Sequence, residues 1–241
     1  MPRIFNSIRQ RLLKENRFTR YLVYAVGEIV LVVVGILIAL SINTWNKSRQ
    51  DLRARAELLD ELRDDLVLDQ ATIAEHIQWE ELFLAEVDSA RVLVKGRIDT
   101  DALQALLRRL TTRHTFVPNK TTIVKMTASG ELGLLRNSGI ENSIVRYYQF
   151  NDYLTSVTNN NNLYIVDLQF GPFVSNNALG FGCDADGAVE DDLDLDPEKR
   201  YLLKVQLDRR ALIARTSIDR FSKLKEAATD LLQRIEQVPG E

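Results

Sequence analysis

YLVYAVGEIVLVVVGILIALSI, from Tyr21 to Ile42, carries one charge, Glu28, in 22 residues. Proline is absent from it, and its two glycines are separated by long apolar runs. A helix of that length reaches roughly 33 Å, against a hydrocarbon core of about 30 Å. Tyr21 and Tyr24 stand at one end and Trp45 just past the other. Amphipathic aromatics prefer the headgroup layer, so these three are expected as interface anchors. The segment therefore reads as a transmembrane helix. A buried helix of a soluble fold would need neither the aromatic flanks nor the basic cluster before it. A cleaved signal peptide is the stronger rival, with Ile29–Leu40 as its apolar core and Ala39-x-Ser41 as its cleavage site. Against cleavage, apolar character extends back to Tyr21 and no helix breaker precedes the site.

The flanks set an expected orientation. Arg3, Arg9, Arg11, Lys14, Arg17 and Arg20 precede the helix against Glu15 alone, so residues 1–20 carry +5 and the rest of the chain −8 of the net −3. Lys47, Arg49, Arg53 and Arg55 follow. The bias of six to four favours a cytoplasmic N-terminus and an extracytoplasmic domain. Within residues 1–20, Ile4, Phe5, Ile8, Leu12 and Leu13 share one helical face and the basic residues largely the other. That pattern suits a short amphipathic tail helix on an anionic leaflet, or a tail that only sets topology. The acidic remainder argues against a nucleic-acid partner, because phosphate needs a basic face.

Glu15-Asn16-Arg17-Phe18-Thr19-Arg20-Tyr21-Leu22, then YAVGEIVLVVVGILIAL, then Ile42-Asn43-Thr44-Trp45-Asn46, resembles an uncharacterised bacterial membrane-protein family, a domain of unknown function. The likeness continues at Glu57-Leu58-Leu59 and Glu61-Leu62, and returns at Ser129-Gly130-Glu131-Leu132 and Arg146-Tyr147-Tyr148. The resemblance implies one N-terminal membrane helix and a helical extracytoplasmic region. It implies no activity, cofactor or catalytic residue.

Beyond the apolar run, residues 46–238 read as an all-α domain built on long, coiled-coil-like helices. The first spans Asn46 to about Lys95 without proline or glycine. Its seam is Leu52, Leu59, Leu62, Leu66, Ile73, Ile77, Leu84, Val87 and Val94, in steps of seven or of three and four. Glu57, Asp60, Asp64 and Asp65 are expected on its solvated face. Gly96 ends it, and Asp99 or Thr100 caps a helix Asp101–Thr112. Thr121–Thr127 reads as a short helix or strand between turns. Ile140 to about Phe170 reads as a helix packing through Ile144, Tyr147, Tyr148, Tyr153, Leu154, Leu163 and Val166, with a kink or polar surface at Asn159–Asn162. Residues 171–197 read as an acidic loop. Pro197, with Asp196 as cap, opens a last helix to about Gln237. Tyr201, Val205, Leu212, Phe221, Leu224, Ala228, Leu231 and Ile235 outline its seam. The two long helices are expected antiparallel, with the middle ones completing a bundle.

Few residues suggest chemistry. Glu28 is an ionisable group in an apolar helix, at an insertion cost of about 2.5–3.5 kcal/mol if central, so it is either a contact to a membrane partner or a snorkelling bystander. Gly35 and Ala39 present small residues on one face, the spacing of a helix-dimer seam. Asp184, Asp186, Glu190 and Asp192 form a weak Ca²⁺ candidate, short of the EF-hand pattern by a ligand and a glutamate. His76 and Glu80, four apart, resemble half a zinc site, with a surface histidine the plainer reading. Lys125 and Ser129 lack any motif around them. No phosphate loop, nucleotide fingerprint or nucleophile elbow occurs. No cofactor or catalytic residue is expected. The sequence favours a membrane-anchored interaction or scaffold module, in contact with the lipid bilayer and with a second copy or other envelope proteins. The alternative is an ectodomain that senses a ligand or ion through a membrane partner.

Overall fold

Heptad spacing sustained over tens of residues dictates long helices, and the computed structural model contains them. It describes residues 17–96, 99–177 and 195–238. Helix α1 is Arg17–Lys95, α2 is Thr100–Leu110 and α3 is Thr121–Ser129. A 3-10 helix covers Glu131–Ser138. Helix α4, Glu141–Asn161, passes into a π-helical stretch, Asn162–Phe170, and then into α5, Gly171–Asn176. The last, α6, is Pro197–Glu236. No strand occurs among the described residues. Contacts divide the chain into two units, Met1–Ala54 and Arg55–Glu241.

In the first unit, the apolar side chains from Tyr24 to Ile42 are exposed all round the helix. This is the one helix among the described residues long and apolar enough to cross a membrane, with an 18-residue window of mean hydropathy 2.7 and none of it buried. Its hydroxyls turn inward. Ser41 Oγ donates to the Leu37 carbonyl and Thr44 Oγ1 to that of Leu40, both at 2.8 Å. Such i−4 bonds satisfy polar groups without water. The Arg49 guanidinium lies 5.1 Å over the Trp45 ring. The tail reading falls on residues 1–16, outside the described residues.

The second unit is a bundle, and its core explains which seam wins. Along α1 the buried row is Leu62, Leu66, Asp69, Ile73, His76, Glu80, Phe83, Val87, Ala90 and Val94. The steps alternate four and three without a break, so this is a heptad seam with three polar members. Facing it on α6 are Leu203, Leu207, Arg210, Ala211, Ala214, Phe221, Leu224, Ala228, Leu231 and Ile235. Cross-links run in opposite order along the two helices. Gln70 bonds Thr229, and Arg91 Nη2 meets Asp208 Oδ1 at 2.6 Å. The two are antiparallel.

Three expected packing positions are corrected on α6. Tyr201, Val205 and Leu212 are exposed. The true row is displaced because it includes Arg210, a residue no apolar pattern would enlist. Leu52, Tyr153 and Leu163 are likewise exposed, and Asp65, expected on the solvated face, is buried.

The apolar interior forms two clusters. One packs Leu58–Ile73 of α1 with Phe116, Tyr147, Leu154 and Phe221–Ile235. The other packs Phe83–Val94 with Leu103–Leu110, Phe170, Val174 and Leu203–Ala214. Between them lies a layer holding His76 and Glu80. Leu62 has no exposed surface and packs in the first cluster. Leu62→Ala is expected to cost about 2–5 kcal/mol, through lost transfer energy plus the residual cavity, measured by urea unfolding of the full chain in detergent.

Local signals fix the helix ends. Asp99 accepts from the Ala102 amide at 3.1 Å and Asp196 from that of Lys199 at 2.8 Å. Gly130 closes α3 at φ 77°, a left-handed cap that a side chain would strain. The acidic loop was expected from Gly171, but the helix continues to Asn176. Pro172 lacks an N–H and its ring opposes an ordinary α-turn. The π-helical widening takes up that clash, with the Gly171 amide donating to the carbonyl of Val166, five residues back. A Cβ on Gly171 would come within 3.1 Å of that same oxygen, so the close turn favours glycine there.

Candidate functional site

Two polar groups occupy the seam of the bundle. The first is built on Asp65 and Asp69, one helical turn apart on α1. Helix α3 lacks a side-chain cap of its own. Asp65 supplies one from across the bundle, accepting from the Thr122 amide and from Asn119 Nδ2, each at 2.8 Å. Asp69, with no exposed surface, accepts from the Asn119 amide at 2.7 Å, Tyr147 Oη at 2.8 Å and Asn151 Nδ2 at 3.3 Å. Burial raises the Asp69 carboxyl, and the bonds from Asn119 and Tyr147 work against that rise. Burial, with Asp69 beside it, drives the Tyr147 hydroxyl far above the ordinary phenol range. These bonds lock α1, α3 and α4 together, and Asn151 Oδ1 is left buried without a partner.

The second group lies in the layer between the two apolar clusters. His76 is wholly buried, which corrects the surface reading. Its Nδ1 stands 2.8 Å from Nδ1 of His114, on the segment after α2. That bond needs a proton on one nitrogen and a lone pair on the other, so two imidazolium rings cannot share it. On the far edge of the ring, His76 Nε2 is 3.6 Å from Glu80 Oε1 and 3.4 Å from Ser217 Oγ. His114 stacks on Trp79 with ring centroids 4.9 Å apart, and Asn162 Nδ2 donates to its carbonyl at 3.1 Å. Burial, then the neighbouring His114, lowers His76 to about 4. Burial also lowers His114. Both rings are neutral at pH 7.

Arg210 completes the layer at 5% exposure. Its guanidinium carbon sits 4.4 Å from the Phe83 ring centroid and 5.7 Å from that of Phe170. Nη2 donates to the carbonyls of Leu110 at 3.2 Å and Thr112 at 3.4 Å. Nε is buried with no hydrogen-bond partner. Burial lowers Arg210 to about 10, so it is still a cation at neutral pH. Burial raises Glu80, opposed by Ser217 and by the charge of Arg210.

These side chains surround a cavity of about 20 Å³, lined by Trp79, Glu80, Phe83, His114 and Arg210 together with residues of α4 and α6. That is space for a water-sized group. A groove of about 230 Å³ abuts it between α4 and α6. Thr158, Asn161, Ile213 and Ser217 line both.

The residues singled out from sequence do not converge there. Glu28, Gly35 and Ala39 lie on the exposed apolar helix, and a Cβ at Gly35 meets nothing within 4 Å. Tyr24 and Trp45 are exposed on the same helix, and the side chain of Tyr21 lies outside the described residues. Asp184, Asp186, Glu190 and Asp192 also lie outside them. His76 presents one nitrogen to His114 and the other to Glu80, so the three do not converge on one metal position. Among the described residues no group of three or more His, Cys, Asp or Glu side chains is placed to hold a metal. Lys125 is bound by both oxygens of Glu61, at 2.7 and 2.8 Å, while Ser129 Oγ donates to Glu131 at 2.7 Å, so the two are not a nucleophile and base.

Sequence reading missed Asp69 and Arg210 and undervalued Glu80. The signal was present as gaps: the apolar steps of seven on α1, from Leu66 to Ile73 and from Ile77 to Leu84, pass over the seam positions held by Asp69 and Glu80. Compared with known proteins, residues 28–179 match the model of a family described as a family of unknown function, DUF6090. No curated protein and no solved structure matches the chain.

Proposed function

The chain belongs to DUF6090, a family of unknown function, and on that premise we propose that it is a membrane-anchored helical interaction module. One observation carries the reading: a helix with an 18-residue window of mean hydropathy 2.7 that buries none of it against the rest of the chain. Apolar surface of that extent is stable only in lipid or against another apolar body. The Lys and Arg excess before the helix favours a cytoplasmic N-terminus, with the bundle on the extracytoplasmic side of a bacterial inner membrane. Glu28 and the Gly35/Ala39 face are the contacts to a membrane partner, either a second copy or another envelope protein. Asp69 and His76, on the seam of α1, are engaged within the bundle, as suits a scaffold.

The test is crosslinking in native membranes followed by mass spectrometry. The wild type should yield a reproducible crosslinked partner, and Gly35→Leu or Glu28→Leu should reduce its yield several-fold. Gly35 has open space around it, so the leucine disturbs only intermolecular packing. Equal yields from wild type and both variants would contradict this contact surface.

A further inference from the structure

We propose that the groove between α4 and α6 binds a small amphiphilic anion, a carboxylate on an unbranched apolar chain of about eight carbons, its charge held by Arg220 and its chain lying along the groove. This gives the helical unit a ligand and holds independently of the anchored reading.

Helix direction places a cation at one end of this groove. Arg220 lies opposite Tyr153, its guanidinium carbon 5.8 Å from the ring centroid, and Arg209 bonds Gln169, so α4 and its π-helical extension run antiparallel to α6. Leu154, Arg220 and Phe221 therefore close one end, and Asn161, Leu212 and Ile213 the other. Leu154 to Asn161 and Ile213 to Arg220 each span seven helical steps, about 10 Å, the reach of an extended chain of about eight carbons. The volume of about 230 Å³ agrees, since an apolar cavity of about 150 Å³ holds benzene. Leu154, Val157, Ile213 and Phe221 supply apolar walls. The Thr216 hydroxyl donates to the Leu212 carbonyl at 2.8 Å, and Ser217 Oγ stands 3.4 Å from His76 Nε2. The middle of the groove thus suits an apolar body.

Among the described residues that line the groove, Arg220 alone is charged. It is half-buried, and among the described residues it makes no ion pair. The carboxylates beside Arg220 and Tyr153 in the chain are engaged elsewhere: Asp219 pairs with Lys223 at 2.7 Å and Asp152 with Lys120. A cation that has the face of one ring as its counterpart gains most from an anion. An amine head would meet a like charge, and a neutral head would leave the guanidinium uncompensated. A carboxylate matches the planar fork of the guanidinium and gains charge-assisted hydrogen bonds.

The test is equilibrium dialysis of the full-length chain, in nanodiscs of zwitterionic lipid, against labelled octanoate and octanamide. The two probes share a body and differ in the head, and uptake by empty nanodiscs is subtracted. Octanoate should bind saturably, at a midpoint about tenfold below that of octanamide, as a charge-assisted hydrogen bond implies. Arg220→Gln should raise the octanoate midpoint about tenfold and leave that of octanamide near the parent value, whereas Arg220→Lys should keep the preference for the anion. Thr216→Trp, which fills the middle of the groove from a half-buried position, should abolish octanoate binding while leaving the circular-dichroism melt near that of the parent. Uptake that is absent, or that grows linearly as in lipid partitioning, overturns the proposal. Equal midpoints for the two probes, or octanoate binding unchanged in Arg220→Gln, overturns it equally.

Discussion

Asp69→Ala is expected to destabilise the helical unit by about 3–5 kcal/mol, because it strands three donors at once, two of them on buried residues. The Asn119 amide, Tyr147 Oη and Asn151 Nδ2 all end on this carboxylate, and Tyr147 and Asn151 are buried. For a unit of this size the melting temperature should drop by about 10 °C. Asp60→Ala is the control: its side chain is 68% exposed, and the change should stay within about 0.5 kcal/mol. Thermal and urea unfolding of both variants in detergent decide the matter. A loss below about 1 kcal/mol at Asp69 would mean that these donors find other acceptors.

Acid is expected to destabilise the bundle through the histidine pair. The unfolded chain binds a proton at His76 near 6.5, whereas in the folded chain burial and His114 hold it to about 4. Protonation therefore favours unfolding. The stability is fully present above 6.5 and is lost as pH falls towards 4. At about 1.4 kcal/mol per pH unit this is worth roughly 3 kcal/mol, of which about 2 falls between pH 7 and pH 5. His114, also lowered, acts in the same direction. Glu80 and Asp69 act oppositely: their folded values are raised, so the stability they contribute in acid fades as pH rises past the ordinary carboxylate range. The histidine share is isolated by comparison with His76→Leu. Its unfolding free energy should vary about 2 kcal/mol less between pH 7 and pH 5 than that of the parent. Equal pH dependence in the two proteins would show that His76 titrates near its ordinary value in the fold.

What the sequence discloses is governed by how water treats each side chain. Helices, caps and the antiparallel pairing follow from spacing, proline and glycine alone: Asp99, Asp196 and Pro197 each stand where the local rules put them. The apolar run of α1 is equally plain, since its exposure in the fold is what its composition demands. Side chains that break the polarity rule are harder to place. Asp69, His76, Glu80 and Arg210 occupy seam positions and Asp65 is buried beside them, and a reading that fills seams with apolar residues passes over them. Arg210 also shifted the apparent seam of α6 onto Tyr201, Val205 and Leu212. Their partners are not local: Asp69 meets Asn119, and His76 meets His114, across 50 and 38 residues. Only the packed bundle brings such groups together. The gap-filling polar positions of a strict heptad are where such sites should be sought in sequence.

The central claim is that the α1 segment from Tyr24 to Ile42 resides in lipid. Flotation of the full-length chain with reconstituted vesicles on a density gradient, without detergent and after an alkaline wash, tests it most directly. The protein should rise with the lipid, and a variant carrying Val33→Arg with Leu37→Arg should remain at the bottom. Wild-type protein recovered in the dense, lipid-free fractions would contradict the account.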